Sequence, residues 1–218
     1  MIADGWMPSA SSDWRFLAGM PSGGRALLIS LPHPDAAVGL LATYEQVVVV
    51  TDFVAKTAVL PPRWRENGRL HWLVTDTLTA LSLTELDLVA LPHGFWHAPT
   101  ADLSLARQWL RPNGIIYVGF NGRWHYRRQR QTGASWTPAH IARLLRQHHF
   151  TPIEMVGMMP NLAQPATFVP LTATIAGSWV AQKVRPAWVR HLLQHDPWQR
   201  LLSHLLPAYG IVARKDLA

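Results

Sequence analysis

Five short apolar segments in the first 120 residues constrain the fold more than any other feature of the chain. They lie at residues 25–31 (RALLISL), 46–51 (QVVVVT), 70–75 (LHWLVT), 86–91 (LDLVAL) and 115–120 (IIYVGF). Short continuous apolar runs rich in β-branched residues are typical of strands buried on both faces, and segments of helical length separate most of them. Buried strands joined by helical crossovers predict an α/β fold, a mostly parallel sheet with helices on both faces.

The rest of the chain adds one helix and two strands to this prediction. In TPAHIARLLRQHHF, Thr137 suits the N-cap and Pro138 the first helical position. TPIEMVGMM and YGIVARK predict strands, which makes seven with the last antiparallel, and the proline-rich PNLAQPATFVPL predicts an irregular surface loop or cover. We expect a single domain over 1–218, with 1–24 as an N-terminal extension and 121–207 carrying loop, helix and cover elements.

Composition excludes several classes of site. The chain has no cysteine, which removes thiol nucleophiles, iron–sulfur clusters, cysteine zinc sites and disulfides. His191 and His195 have the i, i+4 spacing of a helical metal pair but lack the intervening glutamate of a zinc hydrolase, so we predict no metal. No apolar run reaches the ~18 to 20 residues of a membrane span, so we expect a soluble cytoplasmic protein without membrane insertion. The formal net charge of +7 favours an acidic partner or substrate.

In this order the segments resemble the class I S-adenosylmethionine-dependent methyltransferases over residues 25–215. VVVVTD resembles the second strand of that family, LVTDTLTAL the third, LDLVALPHGFWH the fourth and QWLRPNGIIYVGF the turn into the fifth. LLRQHHFTPIEMVG and LLPAYGIVARK are similar to the last helix–strand junction and the closing strand. The resemblance implies a Rossmann-like methyltransferase fold and S-adenosylmethionine as cofactor, with Asp52 on the ribose, Asp76 near the adenine and Leu91 at the pocket. Acids at strand ends also cap the following helix, so this simpler role for Asp52 and Asp76 stays open.

The first turn departs from the family. Ser30 stands at the acidic position that ends the first strand, and Pro32, Pro34 and Ala36 stand at the three glycines. Glycine serves there because the backbone approaches the cofactor closely and its N–H groups can point at the ligand. Proline has no N–H and a fixed φ, so the usual cofactor grip is absent. A dinucleotide-binding Rossmann domain needs the same glycines more strictly and is the weaker candidate.

Two other residues of that turn, His33 and Asp35, allow a different grip. Together with Ser30 and Pro32 they could contact the cofactor in place of the glycine loop. The alternative is a proline-stiffened structural turn without a ligand.

Three histidines are candidates for a general base. His93 and His97 in LPHGFWH follow the fourth strand, where open α/β sheets place catalytic groups, and His125 lies in the loop after the fifth strand. The competing interpretation is that His93 and His97 join Phe95 and Trp96 in an aromatic packing cluster.

The loop NGRWHYRRQRQ, residues 121–131, is the most basic segment. Arginine interleaved with aromatic residues could hold phosphates, stack on bases or clamp a carboxylate, and the alternative is a solvated loop. Its candidate substrate- or partner-binding residues are Arg123, Trp124, Tyr126, Arg127, Arg128 and Arg130.

Two functional hypotheses follow. The first is an atypical S-adenosylmethionine-dependent methyltransferase that acts on a small-molecule or peptide biosynthetic intermediate. The second is a methyltransferase-like subunit that has lost the cofactor and binds an acidic protein, a peptide or nucleic acid through the basic loop. A pure RNA-binding protein would rest on charge alone, since no known binding module is recognisable.

Overall fold

The computed structural model describes residues 23–29, 37, 39–51, 67–75, 77–122, 136–159, 167–171 and 206–216. Within these ranges one sheet is formed by eight strands and two longer helices pack on it. The strands are β1 (Arg25–Ile29), β2 (Gln46–Thr51), β3 (Leu70–Val74), β4 (Leu86–Leu91), β5 (Leu110–Asn121), β6 (Phe150–Met159), β7 (Thr167–Pro170) and β8 (Ala208–Lys215), and the helices are α1 (Pro99–Trp109) and α2 (Pro138–Gln147).

The strand order across the sheet is β3-β2-β1-β4-β5-β8-β6-β7. Strands β1 to β5 are parallel, β8 is antiparallel to both β5 and β6, and β7 is antiparallel to β6. The order therefore reverses between β1 and β4, which lie side by side although two strands separate them along the chain.

All seven predicted strands are present, with the last one antiparallel as expected. The sheet has in addition β7, which lies inside the segment predicted to be irregular from its prolines. That part of the prediction was wrong for Thr167–Pro170. Proline is tolerated on an edge strand because its missing N–H can face away from the ladder, and β7 is the edge strand beside β6.

Helices cover both faces of the sheet, because successive buried residues of each strand point to opposite faces. One face packs against the helical residues 37, 39 and 40, and the other packs against α1 and α2. The first core cluster includes Leu28, Val49, Ala90 and Tyr117 with Ala37 and Leu40, and the second includes Leu27, Val50, Val89 and Val118 with Leu103, Ala106, Ile141 and Leu145.

The start of α2 confirms the prediction made from its sequence. Oγ1 of Thr137 accepts a hydrogen bond from the backbone N–H of His140 at 3.2 Å, and Pro138 follows as the first helical residue. Ile141 and Leu145 are fully buried against the sheet. The cap and the apolar stripe together fix where α2 begins and which side faces the core.

A buried carboxylate joins β1 to β4 at the amino ends of these strands. Asp87 accepts a hydrogen bond from the backbone N–H of Arg25 at 2.7 Å and forms an ion pair with Arg111, whose side chain is half-exposed. Gly24, directly before β1, has a φ of +84° and lies against the Asp87 carboxylate.

Arg69 joins the turn before β3 to the residues that precede β2. Its guanidinium donates to the carbonyl oxygens of Leu41 and Tyr44, both at 2.8 Å, and to that of Glu45 at 3.0 Å. Carbonyls after a helical segment lack helical partners, so a cation placed there is stabilising. In the described part of the chain, no helix is long and apolar enough to cross a membrane.

Candidate functional site

The candidate site lies at the carboxyl ends of the parallel strands, beside the point where the strand order reverses. Open α/β sheets bind ligands in the crevice formed there, because neighbouring strands send their following loops to opposite faces. Ile29, Val74 and Leu91 end β1, β3 and β4 at this edge, and the fully buried Thr51 ends β2. The carbonyl of Thr51 accepts the N–H of Thr75 at 3.1 Å, which joins the exits of β2 and β3.

The chain leaves β4 through a tight turn. Leu91 is fully buried in the core, and its carbonyl accepts a hydrogen bond from the N–H of Gly94 at 3.3 Å. Gly94 has a φ of +93°, a conformation that residues with a side chain rarely adopt. The turn therefore depends on glycine, and it sets the direction of the residues that follow.

The side chains of the residues that follow differ in their burial. Phe95 and Trp96 pack against the core cluster that includes α1 and α2, as the packing interpretation expects. The His97 side chain is 47% exposed, and its ring lies 6.2 Å from that of Trp96 at an angle of 57°. His93 is half-buried and its Nε2 atom is shielded from solvent. Of the two histidines, His97 is thus the more accessible to a substrate.

A buried carboxylate that the sequence analysis did not select lies behind His97. Asp102, in the first turn of α1, is only 2% exposed. Its Oδ2 accepts hydrogen bonds from the backbone N–H groups of Trp96 and His97, the latter at 3.1 Å. Its Oδ1 lies 3.7 Å from Nδ1 of His97, an ion-pair distance that is longer than a hydrogen bond.

Two opposing effects act on the pKa of Asp102. Burial raises this pKa above the ordinary value, and the N–H groups of His97 and Trp96, together with the His97 side chain, lower it. The hydrogen-bond donors favour the ionised form that burial disfavours. The pair therefore places a buried carboxylate behind an exposed imidazole, an arrangement that suits proton transfer.

A sequence signal for Asp102 does exist. The N-cap of α1 is Ala98, which has no side-chain oxygen, and Pro99 occupies the first turn. When the N-cap has no side-chain oxygen, an acid in the first turn can accept hydrogen bonds from backbone N–H groups near the start of the helix. Its contact with His97 could not be predicted, because it depends on how the Gly94 turn folds back.

Most of the other predicted site residues lie outside the described residues. They are Ser30, Pro32, His33, Asp35, Asp52 and Asp76 for the cofactor, and Arg123, Trp124, His125, Tyr126, Arg127, Arg128 and Arg130 in the basic loop. The residues next to the two acids are described: Thr51 precedes Asp52, and Thr75 and Thr77 flank Asp76. Oγ1 of Thr75 accepts the N–H of Thr77 at 3.1 Å.

The fit to S-adenosylmethionine can be tested in part from these residues. The strand ends at the reversal point provide the crevice, and the chain continues from the buried Thr51 directly into an acid, Asp52. The strand ends and the position of this acid in the sequence match the usual layout of a cofactor crevice in this fold, whereas Pro32, Pro34 and Ala36 do not match the usual glycine turn. Across the described ranges, no group of three His, Asp or Glu side chains could hold a metal ion.

A pocket of about 500 Å³ lies at the amino ends of the parallel strands, away from the candidate site. It is bordered by the last turns of α1 and α2 and the end of β8. Burial, followed by the positive charges of His149 and Arg107, lowers the pKa of His148. The lining residues are Ser104, Arg107, Gln108, Gln147, His148, His149 and Lys215.

No protein-family model matches the sequence, and no curated protein matches it. Solved structures do. A SAM-dependent methyltransferase from Methanosarcina mazei has a TM-score of 0.59 at 12% identity, covering 94% of this chain and 98% of that one. The 1,6-didemethyltoxoflavin-N1-methyltransferase of Burkholderia thailandensis, with bound 1,6-didemethyltoxoflavin and S-adenosylhomocysteine, has a TM-score of 0.51 at 18% identity, covering 95% and 77%. The (4+2)-cyclase SpnF has a TM-score of 0.56 at 15% identity, covering 92% and 78%.

These similarities establish the fold. The chain has the Rossmann-like fold of the class I S-adenosylmethionine-dependent methyltransferases, as the order of its strands predicted. At identities this low the comparison does not extend to substrate or mechanism.

Proposed function

We propose that this protein is an S-adenosylmethionine-dependent methyltransferase that acts on a small-molecule or peptide biosynthetic intermediate. The observation that carries the proposal is the position of His97, exposed at the carboxyl end of β4 beside the point where the strand order reverses. In an open α/β sheet this is the place where a ligand and a catalytic group can meet.

The proposed cofactor site uses the ends of the first four strands. Asp52 would accept hydrogen bonds from the ribose hydroxyls and Asp76 would lie near the adenine, while Leu91 would border the pocket. The cofactor, when bound, supplies an electrophilic methyl group. In the unusual first turn, His33 and Asp35 would take over contacts that a glycine loop normally makes, with Ser30 and Pro32 beside them.

The residues of the protein would align the methyl-accepting group of the substrate and remove its proton. Alignment of two bound reactants supplies a large part of the rate in such transfers. Nε2 of His97 is our first choice as general base, and His93 and His125 are the other candidates. The arginines of the basic loop, with Trp124 and Tyr126 between them, would hold a carboxylate or phosphate on the substrate.

A second function has two observations in its favour. The glycine positions of the cofactor turn are occupied by Pro32, Pro34 and Ala36, and one protein with the same fold, SpnF, is described as a cyclase. The fold alone therefore does not require methyl transfer. In this alternative the chain is a partner or binding subunit without the cofactor, and the basic loop binds an acidic protein or nucleic acid.

Calorimetric titration with S-adenosylhomocysteine and S-adenosylmethionine separates the two functions. We expect a Kd on the order of micromolar for the native chain, and an approximately tenfold weaker Kd for Asp52→Ala and for Asp76→Ala, the loss expected when a hydrogen bond to a polar ligand is removed. Glu154→Ala is the matched control, because Glu154 is exposed on β6, away from the reversal point. Absence of binding by the native chain would exclude the methyltransferase and leave the binding subunit.

A further inference from the structure

Asp102 does more than accept the backbone N–H groups of Trp96 and His97, which precede α1. We propose that it is a positioning residue that favours the His97 tautomer with the proton on Nδ1 and the lone pair on Nε2. The use of Nε2 as a proton acceptor in methyl transfer rests on the proposed function. The pairing of the Asp102 and His97 side chains does not.

The two carboxylate oxygens of Asp102 have different surroundings. Oδ2 accepts the backbone N–H groups of Trp96 and His97, which lie just before the N-cap of α1. Oδ1 is buried, makes no hydrogen bond within the described residues, and lies 3.7 Å from Nδ1 of His97. The backbone hydrogen bonds use one oxygen, and the second is the carboxylate oxygen that lies within ion-pair distance of the imidazole.

The same carboxylate lies beside both the backbone and the ring of His97. The N–H of His97 is hydrogen-bonded to Oδ2, and Nδ1 of its ring lies within ion-pair distance of Oδ1. Catalytic hydrogen bonds are often long before substrate binds and shorten in the complex. Asp102 itself is 2% exposed, so water competes weakly for this contact.

The consequence for chemistry follows from the two nitrogens of imidazole. A carboxylate beside Nδ1 favours the tautomer that donates from Nδ1, which leaves the lone pair on Nε2. Nε2 then takes the proton of the acceptor group, and the electron pair left on the acceptor atom forms the bond to the methyl carbon. The bond from that carbon to sulfur breaks with its electrons going to sulfur, and Asp102 stabilises the imidazolium without being protonated.

A conservative variant separates control of the His97 tautomer from the backbone hydrogen bonds of Asp102. In Asp102→Asn, the amide oxygen can still accept the N–H groups of Trp96 and His97, while the amide N–H₂ would face Nδ1 of His97. An N–H donor at that position requires a lone pair on Nδ1, and hence the opposite tautomer with the proton on Nε2. The substitution should therefore keep the backbone hydrogen bonds and reverse the tautomer of His97.

The experiment is ¹⁵N NMR of the histidine rings in the full-length protein without ligand, with His97 assigned from the His97→Gln variant. We expect neutral His97 to be mainly the Nδ1–H form in the native protein and mainly the Nε2–H form in Asp102→Asn. Ser104→Ala is the control, because Ser104 lies on the same helix but contacts Nδ1 of His148, and it should leave the His97 signals unchanged.

Each outcome decides the proposal. A native His97 that is mainly Nε2–H overturns it, even if Asp102→Asn does not fold, and so does the same tautomer in both proteins. The titration with S-adenosylhomocysteine is independent: a tautomer switch without cofactor binding supports the Asp102–His97 pair and rejects the methyltransferase.

Discussion

The carboxylate of Asp87 occupies the space next to Gly24 in which a side chain would have to fit. A β-carbon at Gly24 would overlap with Oδ2 of Asp87, and the backbone of Gly24 is in the left-handed region, with a φ of +84°. Because the same carboxylate accepts the N–H of Arg25, the approach of the chain to β1 is fixed by one glycine and one acid.

Gly24→Ala should therefore lower the free energy of unfolding by about 2 to 4 kcal/mol, through left-handed strain and displacement of Asp87. Urea unfolding followed by circular dichroism measures the effect. Gly68→Ala is the control, since a β-carbon there would meet no atom within 4 Å, and we expect little change. Equal loss in both variants would contradict the close approach.

Thr137→Ala tests the start of α2. The substitution removes the oxygen that accepts the N–H of His140, and an N-cap of this kind contributes about 1 kcal/mol to stability. Thr137→Ser keeps the oxygen and should retain most of that contribution. A thermal midpoint that is equally low for alanine and serine would show that the threonine methyl group, rather than the cap, stabilises the helix.

Stability should fall as the pH is lowered through the titration of His148. Burial, His149 and Arg107 lower the pKa of His148 in the folded protein, so below about pH 6.5 the unfolded chain binds this proton more readily than the folded chain does. His148→Gln should reduce the dependence of the free energy of unfolding on pH between pH 5 and 8, and Arg107→Gln should reduce it partly. An unchanged slope in His148→Gln would refute the assignment.

The unusual first turn makes a prediction with two opposite outcomes. If Pro32, Pro34 and Ala36 have removed the cofactor grip, changing all three to glycine should create or strengthen binding of S-adenosylhomocysteine, with some loss of stability from a more flexible unfolded chain. If the native turn binds through His33 and Asp35, the triple variant and His33→Ala should both bind more weakly. Calorimetry, with thermal midpoints to confirm folding, distinguishes the two.

Much of the sheet could be predicted because burial on both faces leaves a strong mark in the sequence. The valines of β2 and the apolar run of β4 have few alternatives to a buried strand, and Thr137 with Pro138 fixes the start of α2. β7 was missed because its four residues carry no alternation and include Pro170, which argues against a strand unless the strand lies at an edge.

The position of the candidate site could be predicted from the sequence, but not all of its residues could. His93 and His97 follow the carboxyl end of β4 as the sequence predicted, since strand ends follow from the strand prediction. Asp102 was missed because its partners are set by the turn at Gly94, where a positive φ directs the chain back toward α1. Contacts of this kind depend on one backbone conformation rather than on a pattern along the chain.

The place of β8 in the sheet has a consequence for the order of assembly during synthesis. β6 and β7 leave the ribosome before β8, yet in the described sheet only β8 joins them to β5. Until residues 208–215 arrive, the β6–β7 hairpin has no strand to join and the edge of β5 stays unpaired. Unpaired strand edges are prone to intermolecular pairing, so we expect the nascent chain to be vulnerable to aggregation until β8 is inserted.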